Sequence, residues 1–292
     1  MTGNYRFSLL TAQEMPELRQ VFLEAFADYF VPIQLTEQQF QAKLKRESIN
    51  PGFCVGAYAG SKMVGFILTG LGEYKGIPTA YNAGTGVLPA HRGHNLTSEM
   101  YTYLIPKLRE SGVEQCVLEV IQENAAALKS YKDTGFEITR SLDCFRGLKN
   151  ELLLAGDEPE GVTITTVTKP TWSVYQHCCD AEPTWQNTAT AISHSPDDKI
   201  YLEARAEDGE VMGFAAFFPK TGAIAQLAVL PGKRGQGTGK ALLREVLNQT
   251  TAPALMLINV DADAVAFTSF LKRRNFTRFL GQYEMIMPLV QV

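Results

Sequence analysis

The stretch Val229-Leu230-Pro231-Gly232-Lys233-Arg234-Gly235-Gln236-Gly237-Thr238-Gly239 decides how the rest of this chain is read. An apolar run, 227–230, leads into it, and the helix-forming residues Ala241-Leu242-Leu243 follow. Glycines let a backbone approach a ligand closely, and the first N–H groups of a helix have no partner within it. The helix dipole adds positive potential at that end, so the segment suits a phosphate or pyrophosphate. Two familiar nucleotide loops fail on spacing. A P-loop needs Ser or Thr after its Gly-Lys, whereas Gly239-Lys240 is followed by Ala241, and Arg234 stands where the first glycine belongs. A dinucleotide fingerprint that used Gly235 and Gly237 would need glycine at Lys240.

The same plan occurs earlier, as Val87-Leu88-Pro89-Ala90-His91-Arg92-Gly93-His94-Asn95-Leu96-Thr97. Val87 and Arg92 are 5 residues apart, as are Val229 and Arg234; Val120 and Phe136 are 16 apart, as are Val260 and Phe276. Asn95 and Thr97 replace glycines of the later copy, and Asn tolerates a left-handed backbone better than most residues. Outward from the loops, residues 5–10 alternate like a strand. Thr11 with Glu14 and Thr36 with Gln39 form capping boxes ahead of two helices. Strands are expected at 53–59, 63–71 and 80–88, a helix at 96–108, a strand at 116–121, a helix at 125–134 and strands from 136 to 145. The second half repeats this order: a strand at 162–167, a helical region to about residue 193, strands at 200–206, 211–218 and 223–230, a helix around 242–247, a strand at 255–260, a helix at 265–271 and end strands at 278–288. The expected fold class is α/β, in the α+β sense, with two tandem copies of one domain. Residues 1–148 form the first, 149–161 a linker and 162–292 the second.

Length and composition agree. The 292 residues suit two domains, and 45% hydrophobic residues suffice for ordinary cores. A net charge of −4 argues against nucleic acid or an anionic membrane as partner. Nothing approaches the ~18 consecutive apolar residues of a membrane span. Met1-Thr2-Gly3-Asn4-Tyr5-Arg6 has no charged-then-apolar leader pattern, so a cytoplasmic protein is expected. Five cysteines are too sparse for a disulfide framework, and Cys178-Cys179 lacks a second pair at zinc spacing. No metal is expected.

Residues 229–239 resemble the acyl-CoA loop of the GNAT acetyltransferases, with its pattern Gln/Arg-x-x-Gly-x-Gly/Ala. Residues 118–136 resemble the C-terminal motif of that family, and are most similar to its ribosomal-protein N-terminal acetyltransferase branch. The resemblance covers roughly 5–147 and 162–289. It implies a mixed, mostly antiparallel sheet flanked by helices in each domain, acetyl-CoA as co-substrate, and acetyl transfer to an amine of a small molecule or peptide. Glu119 would be the general base and Tyr131, twelve residues on, the general acid. Val87, Leu88, Arg92, Gly93, His94, Asn95, Leu96, Thr97 and Asn124 would line the cofactor site of the first half. Val229, Arg234, Gly235, Gln236, Gly237, Thr238 and Gly239 would do so in the second. Asp28 and Tyr29, between the first two helices, are expected at the acceptor cleft.

The two halves complement one another. The second has the intact glycine loop, but Asn259 and Leu271 replace the proton carriers and Ala264 replaces Asn124. The leading expectation is therefore catalysis in the first half. The alternatives are catalysis in the second, with Gln226 or Asp261 as weak substitutes, or a non-catalytic acyl-CoA sensor or scaffold. Either a monomer or a homodimer is compatible with the chain.

Overall fold

A computed structural model of the chain describes residues 5–30, 34–156 and 159–290. The elements follow the expected double plan. In the first half they are β1 (Tyr5–Leu9), α1 (Met15–Ala25), α2 (Glu37–Arg46), β2 (Val55–Ala59), β3 (Lys62–Tyr74), β4 (Ile77–Val87), α3 (Leu96–Glu110), β5 (Gln115–Ile121), α4 (Ala125–Thr134) and β6 (Glu137–Leu148). The second half holds β7 (Val162–Val167), α5 (Trp172–Tyr175), α6 (Ala189–His194), β8 (Ile200–Ala206), β9 (Val211–Phe218), β10 (Ala223–Val229), α7 (Thr238–Gln249), β11 (Ala254–Asp261), α8 (Val265–Arg273) and β12 (Thr277–Pro288).

Both capping boxes form: Thr11 and Thr36 accept backbone N–H groups at their helix starts, while Glu14 and Gln39 reach back. Two details differ from the sequence reading. β3 and β4 are longer than expected and meet at Lys75-Gly76, where both residues have positive φ. That conformation suits a two-residue hairpin turn. Between β7 and β8, only α5 and α6 form α-helices. Pro183 lacks a backbone N–H and disfavours helical geometry at Glu182, which breaks the expected helical region.

The compact units do not follow the two halves of the sequence. The first comprises Met1–Thr139 with Tyr283–Val292, and the second Arg140–Gln282. β6 and β12 each run for 12 residues. The later part of each closes the sheet of the other half's unit. The strand order is β1-β2-β3-β4-β5-β12 in the first unit and β6-β11-β10-β9-β8-β7 in the second. The segment expected as a linker belongs to the second unit, where Leu154 is buried and Leu152 packs against the same core.

Burial on both sides of the first sheet explains the apolar run in β3. Ile67 joins Met100, Leu104 and Leu108 of α3, together with Met285 and Met287. Phe66 and Leu68 face the other way, onto Leu18, Val21 and Phe22 of α1 and Phe40 of α2. In the second unit, Leu242, Leu243 and Val246 of α7 cover one face, and Tyr175 of α5 stacks on Phe214 on the other.

Each sheet has one feature that makes room for a site. β4 and β5 run parallel and pair only from Thr79 to Tyr81 and Gln115 to Val117. β10 and β11 are also parallel and pair at Ala223 and Met256. A register shift accompanies each opening, at Ala83 in β4 and Ala225 in β10. Bulges of this kind bend a strand and end its pairing. The two strands therefore part toward the glycine loops.

Candidate functional site

The loop that precedes α3 has the same backbone as the loop before α7. Gly93 and Gly235 have φ of 79° and 80°, and the cap residues Asn95 and Gly237 have 59° and 94°. Asn95 thus adopts the left-handed conformation that glycine supplies in the other copy. Leu96 is buried under the loop, while Gly93, His94 and Asn95 are exposed. The His94 ring lies against the Arg92 carbonyl, with Nδ1 at 3.0 Å.

Arg92 and Arg234 do equivalent work in the two units. Arg92 donates to the Val87 carbonyl at 3.2 Å, to the Ala25 carbonyl at 2.9 Å and to both carboxylate oxygens of Asp28 at 2.6 and 2.8 Å. Arg234 donates to the carbonyls of Val229 and Cys178 at 2.8 and 3.1 Å and to Asp180 at 2.9 Å. Each guanidinium ties the loop to the chain near the first helices of its unit. Asp28 is therefore engaged by Arg92, which holds its carboxyl below the usual range by hydrogen bonding and charge.

Where β4 and β5 part, the structure gathers a polar cluster. Tyr81 donates its phenol proton to Glu119 Oε2 at 2.6 Å. Burial, followed by the Glu119 charge, keeps the Tyr81 phenol well above its normal pKa. Next along β4, the Asn82 amide donates to Thr85 at 2.9 Å, to the Tyr101 hydroxyl at 2.7 Å and, more weakly, to the Tyr131 hydroxyl at 3.5 Å. Its oxygen accepts from the Gly84 N–H at 2.9 Å, which fixes the amide across the bulge. Tyr131 lies on α4, and burial pushes its phenol up to about 12. Asn124 caps α4 by accepting from the Ala127 N–H at 3.1 Å, and its side chain also meets the Tyr29 hydroxyl. The structure thus links Tyr29 to Asn124 and Tyr131 to Asn82, and seats Glu119 on Tyr81. Tyr81, Asn82 and Tyr101 were not among the sequence candidates; the one available signal was that Tyr81 and Asn82 lie on the strand leading into the loop and Tyr101 on the helix that follows it.

The second unit has a different character. A cleft of about 460 Å³ opens between β10 and β11, lined by Val229, Gly235, Gly237, Thr238 and Gly239 of the loop segment and by Asn259 and Phe270 opposite. A side chain at Gly235 would project into open space, so nothing crowds that backbone. Leu271, the counterpart of Tyr131, is fully buried. Asn259 accepts from Gln282 at 2.7 Å. The proposed substitutes are both engaged, Gln226 with the Asn187 carbonyl at 2.6 Å and Asp261 with Arg140 at 3.2 Å.

The acetyltransferase (GNAT) family model matches residues 15–136 and again 163–276. The chain is a tandem GNAT protein. In its first half it resembles the N-alpha-acetyltransferase MAK3 of Arabidopsis thaliana, at 34% identity over 86 residues. That match covers 30% of this chain and 45% of the relative. A solved tandem GNAT protein from the clavulanic acid biosynthesis pathway superposes with a TM-score of 0.72, over 99% of this chain and 100% of that one, at 13% identity. A GCN5-related N-acetyltransferase from Sphaerobacter thermophilus gives 0.73, over 98% and 96%, at 14% identity. At such identities the structural likeness speaks for the fold.

Within this GNAT protein the two loops share one backbone, but the space around them differs. The open cleft belongs to the second unit, and the titratable cluster to the first. Among the described residues, no group of three His, Cys, Asp or Glu side chains is placed to hold a metal, and no helix is long and apolar enough to cross a membrane.

Proposed function

We propose that this GNAT protein transfers an acetyl group from acetyl-CoA to an amine and that its first unit carries the proton chemistry. The observation that carries the reading is the Tyr81–Glu119 contact of 2.6 Å at the parting of β4 and β5, with Tyr131 held nearby through Asn82. Acetyl-CoA supplies the activated acyl group when bound. The chain's own groups handle the protons. Glu119 takes the proton of the acceptor amine, directly or through water, and the Tyr81 hydroxyl orients its carboxylate. Tyr131 keeps its proton at neutral pH, because burial holds the phenol near 12, and so it acts as a donor toward the departing sulfur. A thiol is the stronger acid by several units, so the tyrosine works by hydrogen bonding more than by full proton transfer. Backbone N–H at Val87 is the donor for the acyl oxygen.

The acceptor class is read from the relative. N-alpha-acetyltransferase MAK3 is named for action on α-amino groups, so peptides with free N-termini are the first acceptors to try. Such amines have a pKa of ~8 and need less help from a base than a lysine-type amine at ~10.4.

The roomy cleft supports a second reading, in which the second unit holds acyl-CoA without turning it over. One experiment separates the two. The full chain, with acetyl-CoA, is offered peptides with free N-termini, polyamines and amino sugars, and release of free thiol is followed. The expected result is turnover with at least one class and its loss in Glu119→Gln. Tight acetyl-CoA binding with no turnover on any amine would replace catalysis with the holding role.

A further inference from the structure

Four polar side chains of the first unit meet where the second unit carries only aliphatic ones. Asn82 and Thr85 of β4, Tyr101 of α3 and Tyr131 of α4 are joined through the Asn82 amide, at 2.9 Å to Thr85, 2.7 Å to Tyr101 and 3.5 Å to Tyr131. Thr85 also hydrogen-bonds the hydroxyls of both tyrosines. At the offsets that relate Val87 to Val229 and Val120 to Val260, the counterparts of these four residues are Ile224, Leu227, Leu243 and Leu271. All four belong to one buried core of the second unit. The fold is therefore complete without the polar set. Burying polar groups is costly unless each finds a partner, so a cluster that one copy dispenses with points to a task beyond packing.

The bulge at Ala83 builds the cluster. In a regular strand, residues three apart point to opposite faces. The extra residue between Asn82 and Thr85 brings both to one side. The amide is fixed there, because its oxygen accepts from the Gly84 N–H at 2.9 Å and its N–H groups then point at the three hydroxyls. A direction follows from Tyr101, which is 1% exposed. Its oxygen accepts from Asn82, and among the described residues its own proton has Thr85 as the one acceptor. Buried hydroxyls give their protons to a partner, so Tyr101 donates to Thr85. The Thr85 proton is then left for the Tyr131 oxygen. Tyr131 stands last, with its oxygen served from behind and its proton free to point outward.

We infer that Asn82, Tyr101 and Thr85 are positioning residues for Tyr131, forming a one-way chain of hydrogen bonds that aims the Tyr131 proton at the departing sulfur. The inference rests on the reading of Tyr131 as the donor in acetyl transfer. Hydrogen bonds in such a chain polarise one another, which makes the last hydroxyl a better donor. Donation from Thr85 and Asn82 also opposes the burial that holds the Tyr131 proton.

The test is steady-state kinetics of the full chain with acetyl-CoA and whichever of the peptide, polyamine and amino-sugar acceptors turns over. Thr85→Val, Thr85→Ser and Asn82→Asp are each made alone and together with Tyr131→Phe. An aspartate at 82 still accepts from Gly84 but has no N–H to give. Thr85→Val and Asn82→Asp should each lower kcat by about 3–10-fold or more, with the KM for acetyl-CoA within about twofold. Thr85→Ser, which keeps the hydroxyl, should stay within about twofold of wild type. Beside Tyr131→Phe, neither Thr85→Val nor Asn82→Asp should cost anything further. Calorimetry reads whether each variant folds, and the two Thr85 variants carry the test alone if Asn82→Asp does not. Equal losses in both backgrounds, a loss in KM instead of kcat, or Thr85→Ser as slow as Thr85→Val would overturn the inference and leave the catalytic reading standing. Wild type with no turnover on any amine, or Tyr131→Phe as fast as wild type, would overturn the donor reading itself and this role with it.

Discussion

At the scale of single residues, the proposed chemistry depends on which groups hold their protons. Tyr131 is almost fully enclosed, and desolvation penalises its phenolate, so the phenol stays protonated throughout the useful pH range. Tyr131→Phe should lower kcat by about 10²-fold with little change in the KM for acetyl-CoA. Because the phenol titrates near 12, the ratio of wild-type to variant kcat should remain constant from about pH 7 to about pH 10. A ratio that collapses toward one in that range would mean that Tyr131 loses its proton there and is no donor. Tyr81 poses a finer question. Its hydroxyl donates to Glu119, so Tyr81→Phe should change the acid limb of the pH–rate profile as well as its height. A uniform drop with the limb unmoved would make Tyr81 a packing residue. The sequence made Glu119 and Tyr131 visible because both stand in a motif of fixed spacing. Tyr81 and Asn82 stand in none, and only the folded structure shows Tyr81 on Glu119 and Asn82 on Tyr101 and Tyr131.

At the scale of elements, the loops before α3 and α7 show how one backbone is made from different residues. Asn95 takes φ of 59° where Gly237 takes 94°. A left-handed residue costs ~1–2 kcal/mol for ordinary side chains and less for Asn. Asn95→Gly should therefore leave the loop intact and shift stability by under about 1 kcal/mol, whereas Asn95→Val should cost more than ~1 kcal/mol. Chemical denaturation of the three proteins checks this, and equal stability of the Val variant would show that the loop relaxes into another shape. The Arg92–Asp28 bracket adds a pH effect. Arg92 lowers the Asp28 pKa, so the native state favours the charged carboxylate. The contribution is complete above the unfolded value of about 4 and is lost as pH falls through the lowered native value. Wild type should thus lose part of its advantage over Asp28→Asn in acid, and parallel pH–stability curves would remove the bracket's role. Because Asp28 is solvent-exposed, salt should also narrow the gap.

At the scale of the whole molecule, the order of strands and helices was legible because hydrophobic period and glycine punctuation are local signals. The repeat was legible because the spacings from Val87 to Arg92 and Val120 to Phe136 recur in the second half. Ownership of the closing strands was not. The alternation in β6 and β12 states which face is buried but not which neighbour buries it, and both strands are long enough to serve two units. The first unit is completed by Met285, Met287 and Leu289, all at most 5% exposed. Leu289 also accepts from Arg109 at 2.7 Å and donates to the Glu114 carbonyl at 2.7 Å. Full burial of such side chains is worth ~1.5–3 kcal/mol each, so losing all three removes on the order of a small domain's stability. A chain ending at Gln282 should therefore lose acetyl transfer, which is assigned to the first unit, and should show a weakened or missing unfolding transition in calorimetry. For the same reason a fragment of residues 1–148 is a poor vehicle for the first unit, since it lacks the strand that completes the core. Full transfer activity in the chain ending at Gln282 would mean that residues 283–290 are dispensable to the first unit, and that its closing strand can come from β6 instead.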